Sequence, residues 1–210
     1  MIRKEFPTRQ EVDSYLTEQR NRQEKGYLTR SEREELKQLL EHPETLIKKE
    51  VSKGKSIITN IIELRKPCLV VEKNEDINQI IQDLKDTLNT FSNQAYGLAA
   101  NQIGYNKAIC YLRIPKINEK TKQVEYEEFA AINPKVLEKE RKIIFKQEGC
   151  LSFRGLRIDT DRYVFCVIQY ENEKREIQNV ITQDLAAFIW QHEIGHLQGK
   201  TILDFKHKGR

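Results

Sequence analysis

No stretch of this chain is apolar for long enough to span a bilayer, and none has the shape of a secretory leader. The N-terminus holds too many acidic residues for a transit peptide. Aromatic residues make up only 8% of the chain, and its Lys and Arg are interspersed with acids. No basic stripe carries aromatics, so the formal charge of +4 marks no direct nucleic-acid site. There is no internal repeat. Cysteine is scarce, at four residues, and Cys68, Cys110 and Cys166 sit in or near apolar runs without ligand spacing. Free thiols of this kind fit a reducing compartment, so a cytoplasmic location is expected. Histidine is as rare as cysteine, also at four.

Two of those four histidines stand in Trp190-Gln191-His192-Glu193-Ile194-Gly195-His196. Residues four apart share a helix face, so both imidazoles can point at one metal ion. Glu193 then sits beside the ion, placed to take a proton from a bound water. The flanking residues predict a helix with a buried face. Thr182 is the candidate N-cap, Gly199 the stop, and Leu185, Phe188, Ile189, His192 and His196 form one stripe. Buried histidines need partners for their ring nitrogens, and a metal is one.

Two histidines leave a catalytic metal site incomplete. After His196 only Asp204 and His207 remain as donors, and His207 lies in a Lys-rich segment. The better candidate lies upstream, in Gln147-Glu148-Gly149-Cys150-Leu151-Ser152, where Cys150 follows an apolar run, Ile143–Phe145, that reads as a strand. Gly149 marks a turn or bulge there.

Glu-Gly-Cys-Leu-Ser followed by Gln-His-Glu-x-x-His resembles the peptide deformylases. A third motif in family order is Tyr96-Gly97-Leu98-Ala99-Ala100-Asn101-Gln102-Ile103-Gly104, and Leu64-Arg65-Lys66-Pro67 looks like the start of the catalytic domain. Gly-Leu-Ala-Ala alone is weak and HExxH is shared by many hydrolases; together the three are specific.

The resemblance implies Cys150, His192 and His196 as metal ligands, with a fourth position open for water. It implies Glu193 as general base and then acid, and Gln102 (side-chain amide) with Leu151 (backbone N–H) as stabilisers of the oxyanion. Gly97 would let backbone approach the substrate, with Tyr96 and Glu148 also among the substrate-binding residues. Leu185, Phe188 and Ile189 look like the wall of a methionine pocket, or else plain core. The implied reaction releases formate from N-formylmethionine at the start of nascent peptides. The implied cofactor is one divalent ion, natively Fe(II), with Zn(II), Ni(II) or Co(II) in protein purified in air, since a Cys-His-His set binds Zn(II) and Ni(II) tightly. Two rivals stand beside this reading, an HExxH zinc peptidase and a catalytically weak deformylase-like binding protein.

Three positions depart from the family pattern. Gly195 replaces an aspartate, at a helix cost of about 1 kcal/mol against alanine. Ala95 replaces the first glycine of the Gly-rich motif. Arg154 replaces a proline beside the expected cleft.

The expected fold is α+β, with short, mostly antiparallel strands around a central HExxH helix and a helical N-terminal extension. Periodicity predicts strands around Ile109–Ile114, Phe129–Ile132, Ile143–Phe145 and Val164–Tyr170, and a polar hairpin loop over Asn118–Gln123. Residues 55–210 read as the catalytic domain and 1–54 as the charged extension. Thr8 with Glu11 and Ser31 with Glu34 fit capping boxes, giving two helices broken near Gly26 and Pro43. The extension reads first as a solvated arm and second as a docking element for the ribosome or another protein.

Overall fold

A computed structural model describes residues 9–26, 28–41, 54–91 and 95–209. Chain contacts separate two compact units, Met1–Ser52 and Lys53–Arg210.

The first unit holds helices α1 (Arg9–Glu24) and α2 (Arg30–Glu41), which pack on each other. Leu16, Leu28 and Leu36 are buried in this otherwise charged unit. Gly26 takes a left-handed φ of 75° between the helices, as the predicted break requires. The capping box of α2 lies two residues before the expected one. The Thr29 Oγ1 accepts from the Glu32 N–H, and the Glu32 carboxylate accepts from the Thr29 N–H at 2.9 Å. Ser31 and Glu34 are therefore inside the helix. The predicted cap at Thr8 and the break at Pro43 lie outside the described residues.

The second unit is built on one antiparallel meander of strands β1 (Gly97–Ala99), β2 (Ile109–Ile117), β3 (Val124–Gly149), β4 (Arg157–Glu171) and β5 (Ile177–Gln183), paired in chain order. Around it lie α3 (Ile61–Leu64), α4 (Asn78–Asn89), α5 (Asp184–Leu197) and two short 3-10 helices, Ala100–Ile103 and Ile202–Phe205. The architecture is the expected α+β class. The loop Asn118–Gln123 closes the β2–β3 hairpin, with the Asn118 N–H donating to the Gln123 carbonyl.

Strand β2 explains how two cores arise from one sheet. Successive side chains on a strand face opposite ways. Ile109 and Tyr111 therefore join Leu84, Leu88 and Leu98 beneath α4, while Cys110, Leu112 and Ile114 join Ala187, Trp190 and Ile194 of α5. Both faces are covered, which is why β2 reads as an apolar run without alternation. The lone Trp190 packs between Phe129 and Tyr170, at 5.8 and 5.2 Å between ring centroids.

Two predicted strands, Phe129–Ile132 and Ile143–Phe145, are parts of the single long β3. Its first half pairs with β2 and its second with β4, and register shifts at Ile132/Lys135, Val136/Glu138 and Phe145/Glu148 bend it between them. The last shift falls at Gln147, with φ of 57°, two residues before the glycine that was expected to mark it.

Helix α5 is buried on more than its predicted stripe: Ala187, Trp190, Ile194 and Leu197 are buried as well as Phe188, Ile189 and His196. The N-cap is Gln183 rather than Thr182, which ends up as a buried residue of β5. No side chain bonds the cap; the chain enters through Asp184 at φ 50°, with that carboxylate in the first turn. The C-terminus closes as foreseen. Gly199 at φ 71° donates to the His196 carbonyl and Lys200 to the Gly195 carbonyl, the two bonds of a Schellman stop. A Cβ on Gly199 would also fall 2.5 Å from the Arg65 carbonyl oxygen.

Candidate metal centre and cleft

Helix α5 presents His192 and His196 one turn apart, with ring centroids 5.0 Å from each other. Its axial position is held by Gln191, whose amide oxygen accepts from the Tyr163 N–H and whose amide nitrogen donates to the Tyr163 carbonyl. That bidentate clamp ties the helix to β4. From the other side Asn101 Nδ2 donates to the His196 carbonyl at 2.8 Å. Strand β3 ends at Gly149, where the Arg157 guanidinium occupies the space of a Cβ, and delivers Cys150 to the two histidines.

The donor atoms of Cys150, His192 and His196 all lie within 4.8 Å of one another. Cys150 Sγ is 3.2 Å from His196 Nε2. The two other donors considered, Asp204 and His207, are engaged elsewhere: Asp204 with Arg65 and Thr201, His207 with Asp161. A thiolate and two imidazoles suit a borderline divalent ion such as Fe(II), Zn(II) or Ni(II).

The surroundings of the donors fit a metal too. His192 Nδ1 lies 2.5 Å from Glu148 Oε1, and the same carboxylate accepts from Arg162 Nε and Nη2 and from Thr160 Oγ1. Burial opposes the charge on Glu148, but the hydrogen bonds from His192 and Arg162 outweigh it and hold its carboxyl well below the usual range. An ionised Glu148 makes Nδ1 the protonated nitrogen of His192, which leaves Nε2 as the free donor. His196 is wholly buried, and its Nδ1 has no partner among the described residues.

Glu148 was expected among the substrate-binding residues. Its carboxylate is instead buried and turned to His192, Arg162 and Thr160. Neither Arg162 nor Thr160 was foreseen, although a charged residue in the alternating run Val164–Tyr170 and its approach is the kind of signal that marks a buried ion pair. Phe205 was missed as well. Its ring lies 4.3 Å from the Arg162 guanidinium and 3.2 Å from where a Gly195 Cβ would stand. The departure at Gly195 thus makes room for an aromatic lid on the Arg162–Glu148 pair.

Glu193 is buried, and burial raises its carboxyl from 4.5 to about 7. One oxygen, Oε2, has no partner among the described residues. The other is packed against Gly97, where a Cβ would come within 2.6 Å of Oε1. The need for glycine at 97 is therefore set by Glu193 as well as by any ligand. Gln102 is also buried: Oε1 accepts from the Ala99 N–H, while Nε2 donates to Ser152 Oγ at 3.1 Å and faces Cys150 Sγ at 3.7 Å. Leu151 is half-buried on the same loop, and nothing among the described residues accepts from its backbone N–H.

These groups open onto a cleft of about 490 Å³. Leu185, Phe188 and Ile189 line it together with Tyr96, Gly97 and Leu151. The Phe188 ring packs against Phe145 in that lining, with 4.6 Å between ring centroids. Ile189 belongs to the core beneath α5 as well, whereas Leu185 is more than a third exposed. The remaining thiols lie off the cleft: Cys110 and Cys166 are buried, and burial pushes Cys68 up to about 11.

Comparisons with known proteins converge on one family. The family model described as Polypeptide deformylase matches residues 57–209. A peptide deformylase of Elusimicrobium minutum is 34% identical over 128 residues, covering 61% of this chain and 71% of its own length. One from Aquifex aeolicus is 33% identical over 143 residues, covering 67% and 80%. The crystal structure of peptide deformylase from Ehrlichia chaffeensis superposes with a TM-score of 0.64 at 30% identity, covering 74% of this chain and 89% of that one. On this sequence, fold and site, the chain belongs to the polypeptide deformylase family.

Proposed function

We propose that this chain hydrolyses the formyl group from N-formylmethionine at the start of nascent polypeptides, with residues 55–210 forming the catalytic domain. The observation that carries the reading is the convergence of Cys150, His192 and His196 beside a buried, unpartnered Glu193 oxygen, at a cleft with Leu185, Phe188 and Ile189 on its wall. A divalent ion held by Cys150 Sγ and the two imidazoles would supply Lewis acidity and an acidified water.

Glu193 takes the proton from the attacking water and returns it to the departing amine. A carboxyl raised by burial toward neutrality suits both halves of that transfer. Gln102 Nε2 and the Leu151 N–H donate to the formyl oxygen as it gains charge. Gln102 is held for this by its own Oε1, fixed to the Ala99 N–H. Leu185, Phe188 and Ile189 receive the methionine side chain, and Tyr96 and Gly97 wall the path of the peptide. Glu148 acts through His192, whose ring it orients, and Arg162 keeps it charged.

Fe(II) is the proposed native ion, with Zn(II), Ni(II) or Co(II) replacing it in protein handled in air. The free cysteines support a reducing, cytoplasmic setting, and no described helix is long and apolar enough to cross a membrane. Residues 1–54 are proposed as a solvated helical arm, with docking to the ribosome or another protein as the second reading; co-sedimentation with ribosomes, with and without that segment, separates the arm from ribosome docking.

The deciding experiment is formate release from formyl-Met-Ala-Ser by protein purified without oxygen, with its metal content measured alongside. Stoichiometric metal without formate release overturns the proposed function.

A further inference from the structure

The cleft carries a charge feature that catalysis of deformylation does not use. Its lining includes four formally charged side chains, Glu148, Glu193, Arg154 and Arg157. The two carboxylates are buried, one turned to His192 and Arg162 and the other packed on Gly97. The two guanidinium groups are exposed, and no carboxylate among the described residues pairs with either.

Both are held in place by uncharged neighbours. The Arg157 guanidinium packs against Gly149, with Nη1 2.5 Å from where a Cβ would stand. Arg154 covers the Phe91 ring at 5.8 Å, and Phe91 itself lines the cleft. Stacking of this kind fixes a guanidinium without using its N–H donors. Arg154 is also the position where the sequence departs from the family's proline, so the family pattern itself does not call for this cation.

We propose that Arg154 and Arg157 form a carboxylate-reading rim that favours formyl peptides bearing an acidic group after the methionine. The inference rests on the deformylase reading above and adds a substrate class to it. The chemistry of the substrate supports it: a formylated N-terminus is neutral, so no terminal ammonium masks a carboxylate a few bonds away. That carboxylate has two sources, an Asp or Glu side chain and the C-terminus of a short peptide.

The test is kcat/KM for formate release from a series with formyl-Met first: Met-Ala-Ala-amide, Met-Asp-Ala-amide, Met-Ala-Asp-amide, Met-Ala-Lys-amide and Met-Ala-Ala free acid. Exposed ion pairs contribute little each, so the expected preference for an acidic over the neutral peptide is roughly twofold to fivefold per guanidinium. It should shrink as salt is raised to 1 M, which a packing effect of the arginines would not do. Arg154→Glu, which leaves Arg157 faced by a new carboxylate, should flatten the order, and Arg154→Glu combined with Arg157→Glu should reverse it in favour of the lysine peptide. Ratios within one preparation cancel any loss of folded enzyme. A gain for the amidated aspartyl peptides assigns the rim to side chains, and a gain for the free acid alone assigns it to a C-terminal carboxylate; either upholds the inference. Formate release with a flat, salt-independent series, or ratios unmoved by Arg154→Glu, overturns it while leaving the deformylase reading intact. No formate from any member of the series overturns both.

Discussion

Glu193 and Glu148 lie in one helix-and-strand corner, yet their environments push them in opposite directions. Glu193 has burial without a donor, and Glu148 has burial with Arg162, Thr160 and His192 as donors. The first is suited to exchanging a proton and the second to staying charged. Glu193→Gln should therefore keep the metal and lose about 10²- to 10⁴-fold in formate release, because it removes the proton acceptor and no donor. Metal analysis beside the kinetics checks it, and loss of the ion would place Glu193 among the ligands instead. Glu148→Gln should behave differently. With the charge that orients His192 gone, metal affinity should fall about 10- to 100-fold, read by competition with a chelator. Arg162 would also be left buried without its partner, so a lower melting temperature should accompany the change.

Among single residues, the sequence pointed to Cys150, His192 and His196, which the structure brings together, and to Glu193 beside them, because their order along the chain is itself the signal. The support around them was hidden. Arg162, Thr160 and Phe205 reach the site only through the pairing of β3 with β4 and the return of the C-terminal 3-10 helix, and no local spacing encodes those approaches.

For the elements, legibility followed how each one is buried. Helix α5 and the hairpin at Asn118–Gln123 were readable because period and turn chemistry are local. Strand β5 had no counterpart among the predicted strands: its buried faces are few, with Ile177 and Ile181 exposed on the sheet's end strand. The cap at Thr182 failed for a related reason, since β5 runs directly into α5 and claims the residue for the sheet. Two substitutions test these elements. Gly199→Ala should destabilise the fold by about 1–3 kcal/mol in denaturant titration, since it forces a side chain into a left-handed φ against the Arg65 carbonyl. Phe188→Ala separates cleft from core. Phe188 lines the cleft and faces Phe145, so its loss should lower kcat/KM for formyl-Met peptides and narrow the preference over formyl-Ala. A drop of about 3–5 kcal/mol in stability with the methionine preference intact would put it in the core.

On the scale of the whole molecule, the described residues that line the cleft run from Phe91 to Glu193, within the second unit. Removal of residues 1–54 should therefore leave formate release from formyl-Met-Ala-Ser unchanged, whatever it does to partner binding; a large loss would tie the extension to catalysis. The nature of the ion is a property of the assembled site rather than of any one donor. Activity should be highest with Fe(II) under anaerobic conditions and lower after exchange to Zn(II), and equal rates would remove the preference without moving the ligands.

Strand β2 has helices over both faces and strands along both edges. Its amides from Ile109 to Leu112 should be the slowest in the chain to trade hydrogen for deuterium, opening only when the second unit unfolds globally. The loop Cys150–Leu156, held by two short backbone turns, should exchange far sooner. Of the three proposed ligands, Cys150 then rides on a segment that opens locally while the two imidazoles sit on a helix packed against the most protected strand. Metal should accordingly leave through the thiolate side, at a rate set by that loop rather than by unfolding, and chelation should outpace β2 exchange in the same sample.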